Sequence, residues 1–241
     1  MQKLKSMVRK HFPAGFECLK GVFYFTREIL ENSAAGAKFN SFVWTRYNMF
    51  STTKGFDVQS ENLPHRKQLL SLLALTSSAR NLLEVGCGYG ANLAVIAMAA
   101  PQLQITGLDI NASAVAEARL NCKKHKLANV SIKTHDLEKP IPFDDGSFDV
   151  VLADAVMMFF SQKRLLPLLT EIVRLSNGTI IIHDFDNPEI DRSFYNEGRW
   201  IHNYEKCMRA IDPHVKIERH KTVFSGGLWS KHGMFLIFHF R

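Results

Sequence analysis

From Arg80 onward, short apolar runs alternate with stretches in which apolar residues return at helical spacing. Leu82-Leu83-Glu84-Val85 reads as a first strand, followed by a glycine-rich turn and an alanine-rich helix over Ala91–Ala100. Gln104–Leu108 reads as the second strand and Ala112–His125 as the second helix, with Asn111 or Ser113 as its cap. Val130–Lys133 is the third strand, Phe148–Leu152 the fourth, Lys163–Leu175 the helix after it and Thr179–Ile182 the fifth strand. Regular alternation of strand and helix predicts β-α-β units around a parallel sheet.

The period changes after Asp191. A helix is expected over Phe194–Ile211, then two strand-like runs, Val215–Val223 and Met234–Phe240, joined by a loop that contains Gly226-Gly227. A parallel return needs a crossover of a dozen or more residues, so these two runs should pair antiparallel. The predicted fold is a Rossmann-like α/β three-layer sandwich, with a mostly parallel sheet that ends in a C-terminal antiparallel hairpin. Before Arg80, residues 14–75 read as mostly helical, with a polar break from Ser51 to Asp57. The expected division is an N-terminal helical extension or substrate cap over 1–75 and the α/β domain over 76–241.

Glu84-Val85-Gly86-Cys87-Gly88-Tyr89-Gly90 stands at the first strand-to-helix turn. Glycines there let the backbone take φ > 0 and approach a ligand, while the free N–H groups of the next helix favour an anionic group. Nicotinamide and flavin enzymes use a related turn with Gly-x-Gly-x-x-Gly spacing. Here the spacing is Gly-x-Gly-x-Gly, and Glu84 ends the strand, where a carboxylate stabilises a cationic group and repels a pyrophosphate.

On these residues, with Asp109 after the second strand, Asp136-Leu137 after the third and Phe148–Asp154 on the fourth, the chain resembles the class I S-adenosylmethionine-dependent methyltransferase family. The resemblance implies S-adenosylmethionine as cofactor and S-adenosylhomocysteine as its product. It places Gly86, Gly88 and Gly90 around the methionine part, with Glu84 near the ammonium. Asp109 would accept the ribose hydroxyls and Ile110 would pack on the adenine. Asp136 would take the adenine amino group beside the Leu137 backbone, and Asp154 would complete the set.

Methyl transfer to a hydroxyl needs a nucleophile held in line and a base for its proton. Ligands of open α/β sheets bind outside the carboxyl ends of the strands. The candidates there are His183 and Asp184, just after the fifth strand, and Asp154 at the end of the fourth; His183 has a suitable ordinary pKa, with Asp184 and Asp186 to orient it or act instead. Both His183 and Asp184 are expected to face the crevice above the glycine turn. Met157 to Phe160 read as core or as the wall of an apolar substrate pocket.

The chain has 241 residues, 46% hydrophobic and 22% charged, and its longest apolar stretches fall well short of a membrane span. The first ten residues carry charge but no uninterrupted apolar run of the secretory kind, so a cytoplasmic location is expected. The four cysteines are far apart, with no Cys-x-x-Cys pair, and no metal site is identified. Much of the net charge of +7 gathers in the first 30 residues. Leu4, Met7, Val8 and Phe12 fall at helical spacing opposite Lys3, Lys5, Arg9 and Lys10, so residues 1–12 could either touch an anionic inner membrane face or pack on the domain.

The Asn/Asp-Pro-Pro-aromatic motif of amine-modifying nucleic-acid methyltransferases is missing after the fourth strand, where Ala153–Val156 stands, and there is no Pro-Cys nucleophile. A nucleic-acid partner is therefore disfavoured and a small-molecule acceptor favoured. A diffuse similarity to methyltransferases encoded with surface-polysaccharide enzymes points to a sugar hydroxyl of a nucleotide sugar or lipid-linked glycan. Two competing readings stand beside this one: a nicotinamide-dependent oxidoreductase, and a non-catalytic protein that keeps the cofactor pocket.

Overall fold

The computed structural model describes residues 63–76, 78–224 and 226–240. Residues 1–62, with the amphipathic segment 1–12 and most of the expected N-terminal extension, lie outside the described residues. Helix α1, Pro64–Leu73, begins with proline in its first turn, where the missing N–H would have no helical partner anyway. Leu69 and Leu72 from this helix are buried in the same apolar cluster as Leu82, Ile105 and Ile181.

Five parallel strands follow, β1 (Asn81–Val85), β2 (Gln104–Asp109), β3 (Val130–Thr134), β4 (Phe148–Asp154) and β5 (Ser176–Phe185). Helices α2 (Ala91–Ala99), α3 (Ala112–Lys124) and α4 (Gln162–Leu175) connect them. The seven-stranded sheet has the order β3-β2-β1-β4-β5-β9-β8, where β8 is Lys216–Lys221 and β9 is Gly233–His239. β9 runs antiparallel to both β5 and β8, which is the expected terminal hairpin. The order reverses between β1 and β4, and an α/β sheet opens its ligand crevice at such a point. One apolar cluster fills each face, so β1 and β4 are buried on both sides, which accounts for their near-continuous hydrophobic runs.

The helix expected over Phe194–Ile211 is not formed over that length. Its first part is a two-stranded ribbon, β6 (Phe194–Asn196) and β7 (Arg199–Ile201). The two residues between them, Glu197 and Gly198, both have positive φ, which is the turn geometry whose twist matches paired strands. Aromatic residues with high strand preference, Phe194, Tyr195 and Trp200, flank that turn. Only Tyr204–Ile211 is helical, as α5, with the Asn203 side chain accepting from Lys206 N–H as its cap. The Gly226-Gly227 connection is also more ordered than a plain loop, since it opens the short helix α6, Gly227–His232. Asn111, rather than Ser113, caps α3 by accepting from the Ser113 and Ala114 N–H groups.

Candidate active site

At the carboxyl edge of β1 the chain turns sharply, and the N–H groups of Gly86 and Cys87 both donate to Leu108 carbonyl oxygen at 2.7 and 2.9 Å. Gly86 has φ +75°, and a Cβ there would overlap the Val156 side chain, so both backbone angle and space demand glycine. Gly88, at φ +52°, differs in that a Cβ would meet nothing within 4 Å. Its open flank is a cradle that a ligand can fill. The Gly88 N–H donates to Asp109 Oδ2 at 2.8 Å, and the Asn111 N–H donates to Asp109 Oδ1 at 2.8 Å. Burial raises the Asp109 pKa, against these two hydrogen bonds.

Beside this turn lies a cavity of about 430 Å³, lined on its polar side by Glu84, Asn92, Asp154, His183, His65 and Arg66. The Asn92 amide nitrogen donates to Glu84 Oε1 at 2.8 Å and to Asp154 Oδ2 at 2.7 Å, while Asn92 Oδ1 accepts from Arg66 Nε at 2.9 Å. Glu84 Oε2 is buried with no hydrogen-bond partner. Burial, with repulsion from Asp154 and Asp109, pushes the Glu84 carboxyl up to about 8, against the Asn92 hydrogen bond and the Arg66 charge. An orphaned carboxylate oxygen in a cavity fits a cationic ligand group, because leaving it unpaired is costly.

His183 stands across the cavity, fixed at both ring nitrogens: Nδ1 lies 2.7 Å from Asp154 Oδ1 and Nε2 lies 2.9 Å from Thr222 Oγ1. Thr222 Oγ1 also accepts from the Phe224 N–H at 3.2 Å. An ionised Asp154 carboxylate only accepts, so His183 Nδ1–H donates to it. The ring is stacked on Phe235 at 3.8 Å between centroids and 5° between planes, with Trp229 at 4.7 Å on a tilted approach. Burial alone would raise the Asp154 carboxyl, but donation from His183 and Asn92, with the charges of His183 and His65, brings it below its ordinary value. An ionised carboxylate beside an oriented imidazole can accept a proton.

The methyltransferase-domain family matches residues 76–230 of the chain. The chain belongs to the class I S-adenosylmethionine-dependent methyltransferase family. S-adenosylmethionine is accordingly its cofactor. Among curated relatives, a phthiotriol/phenolphthiotriol dimycocerosates methyltransferase of Mycobacterium leprae is 34% identical over 38% of this chain and 31% of its own length. A fatty-acid O-methyltransferase of Mycolicibacterium smegmatis is 30% identical over 47% of this chain and 42% of its own. The chain thus spans less than half the length of these relatives. A solved magnesium protoporphyrin IX methyltransferase of Synechocystis, with S-adenosylhomocysteine bound, shares the fold at TM-score 0.58 and 18% identity, covering 83% of this chain and 95% of that one.

The structure gathers Glu84, Gly86, Asp154 and His183 around one cavity. Gly88 and Gly90 belong to the same turn, and Gly90 immediately precedes α2. Asp109, Ile110, Asp136 and Leu137 follow along the same carboxyl edge, at the ends of β2 and β3 and outside that cavity. Asp136 Oδ1 accepts the Glu138 N–H at 3.1 Å, and Leu137 is buried in the core.

Asp184 does not face the crevice. Successive strand residues point to opposite sides, so with His183 toward the cavity its neighbour turns into the protein. Asp184 is fully buried, with Oδ2 accepting the Met158 N–H at 3.0 Å and Oδ1 the Phe185 N–H at 2.7 Å. Asp186 is equally occupied: it pairs with Arg219 and accepts the Tyr204 N–H at 3.1 Å. Both acids hold loops in place. Met157 and Met158 belong to the core, not to the cavity wall.

Sequence reasoning did not find Asn92, Arg66, His65, Thr222, Phe224 or Trp229. Asn92 sits two residues past the glycine turn, and that proximity was the one local signal. The others arrive from α1 and from the β8–β9 connection, distant in sequence. Gln68 joins those two segments: its amide donates to Lys221 carbonyl oxygen at 2.8 Å and accepts the Val223 N–H at 3.0 Å, on either side of Thr222. His65 meets Phe224 edge-on at 5.3 Å, and Phe224 meets Trp229 at 5.7 Å, so these three rings form an aromatic wall over His183.

If Asp109 receives the ribose, as the resemblance implies, Asp109→Ala loses charge-assisted bonds that typically contribute about 1.5–3 kcal/mol. The expected result is at least about tenfold weaker S-adenosylhomocysteine binding in calorimetric titration. A folded variant with an unchanged Kd would reject the assignment.

Proposed function

We propose that this protein transfers the methyl group of S-adenosylmethionine to a hydroxyl of a small, largely apolar acceptor, and that the Asp154–His183 pair takes the hydroxyl proton. The observation that carries this reading is the 2.7 Å bond from His183 Nδ1 to Asp154, at the wall of a cavity that opens beside the glycine turn. When bound, the cofactor supplies an electrophilic methyl group on a sulfonium centre. Glu84 would hold its ammonium through the free Oε2, and the turn at Gly86, Gly88 and Gly90 would border its methionine part. Asp109 and Ile110 would hold the ribose and adenine, with Asp136 and Leu137 at the adenine amino group.

The acceptor hydroxyl hands its proton over at Asp154. His183 Nε2 is engaged by Thr222, so the imidazole acts from behind the carboxylate and fixes its direction. The aromatic wall of His65, Phe224 and Trp229 suits an apolar acceptor body. The names of the curated relatives support a lipid-type alcohol or acid as the substrate class. A hydroxyl is favoured over a carboxylate because Asp154 would repel a second anion. The sugar hydroxyl expected from sequence is the second reading, favoured by Trp229, whose ring can cover the apolar face of a pyranose.

Transfer of labelled methyl from S-adenosylmethionine to panels of long-chain alcohols, fatty acids and glycosides tests the proposal. Label recovered as a methyl ether supports it. Label recovered only as a methyl ester, or no transfer at all by protein that binds S-adenosylhomocysteine, would overturn it.

A further inference from the structure

We propose that Asn92 is a positioning residue that couples the cofactor end of the cavity to the proton-accepting pair, by holding Glu84 and Asp154 at once. This deepens the functional reading above and rests on it. The orientation of the amide follows from its partners: Arg66 offers only donors, so Oδ1 must face it, and two carboxylates are left to share the two Nδ2 hydrogens. Every polar atom of the Asn92 side chain is thereby used. Asn92 is itself buried, and its bond to Glu84 is made away from bulk water.

The arrangement has an electrostatic consequence. Two carboxylates held by a single nitrogen lie close together and raise one another's proton affinity. A neutral double donor between them favours the ionised form of each without adding charge. Glu84 still keeps one buried oxygen, Oε2, without a partner. A cationic group docked there satisfies Glu84 and also relieves its repulsion on Asp154, so binding at one end favours the ionised carboxylate at the other. Such a coupling is reciprocal. The titratable and charged groups that act on this pair are Arg66 and His65 from α1, Cys87 from the glycine turn, Asp109 from β2, and His183 and Asp184 from β5.

Calorimetric titration with S-adenosylhomocysteine between pH 6 and 9 reads the Glu84 half, and the acid limb of the kcat profile reads the Asp154 half. Binding of an ammonium needs Glu84 ionised, so wild-type affinity is expected to rise with pH toward a plateau above about 8. In Asn92→Leu the donor is lost to both acids. Affinity should fall about tenfold or more, and both midpoints should move upward.

Asn92→Asp, which keeps the shape and adds a third carboxylate, should move both midpoints further, and it preserves the test if Asn92→Leu unfolds. Asn92→Ser offers one hydrogen in place of two and should shift one midpoint while sparing the other. If the variants weaken binding and rate with both midpoints unmoved, Asn92 is only a structural residue and the proposal fails. If the wild type transfers no methyl group, the functional reading fails, while the titration arm still judges the Glu84 half of the coupling.

Discussion

Replacing His183 with alanine is expected to lower kcat by about 10²–10⁴ while S-adenosylhomocysteine affinity stays within about threefold of wild type. The ring touches Asp154 and Thr222 but neither Glu84 nor the glycine turn, so the loss should fall on turnover and not on cofactor binding. Removing the ring leaves a space bounded by Phe235 and Trp229, into which free imidazole can enter. Partial rescue of turnover by added imidazole is therefore expected. His183→Phe, which keeps the stack on Phe235 but offers no nitrogen to Asp154, should show no rescue. A His183→Ala enzyme with near wild-type kcat toward a hydroxyl acceptor would remove the pair from the mechanism.

Asp184→Ala is expected to destabilise the fold by about 2–5 kcal/mol, because it strands the buried N–H groups of Met158 and Phe185. Its partners tie the turn after β4 to the end of β5, the two strands that carry Asp154 and His183. Burial pushes the Asp184 carboxyl up to about 7 from an ordinary 3.8. A raised folded-state pKa contributes stability that is fully present below the unfolded value and lost as pH rises through the folded one. The gap between wild type and Asp184→Ala in chemical denaturation should accordingly be widest below pH 4 and shrink toward pH 7. Equal stability of the two proteins across that range would show that Asp184 holds nothing. A large loss of kcat with full stability would restore it as a catalytic candidate.

The contrast between these neighbours shows how far sequence alone reaches. Both residues lie at the end of the fifth strand, and both are of a type that can accept a proton. The sequence pattern ends the strand at Ile182 and lets both face the crevice, whereas β5 runs on to Phe185, so alternation along it allows only one of them to do so. The choice depends on the register of β5 between β4 and β9, which is set by how each strand's apolar positions fill the two core clusters. With Ile180 and Ile182 on one side and Ile181 on the other, His183 takes the side of Ile181, Phe235 and the cavity.

The glycine turn and the terminal hairpin were legible because their determinants are local. A Gly-x-Gly-x-Gly turn after an apolar run, an acid closing each of several strands, and two strand runs too near for a parallel return all lie within a few residues of one another. Phe194–Ile201 was misread because a period of aromatic and polar residues fits helix and ribbon alike, and a two-residue turn with positive φ decided between them.

The α/β architecture, the family, the cofactor and the carboxyl edge expected to hold the ligands could all be read from the amino-acid order. The architecture and the edge follow from short-range pattern and backbone geometry, and the family and cofactor from the resemblance of the motif residues. Packing of the elements was needed to show that Asn92 ties Glu84 to Asp154, that Thr222 and Asp154 hold His183 from either side, and that α1 closes over them with Arg66 and Gln68. Apart from the Asn92–Glu84 bond, which spans eight positions, those contacts join residues 26 to 153 positions apart. Hydrogen-bond partners at such separation are fixed by where packing brings the elements, which no local pattern encodes.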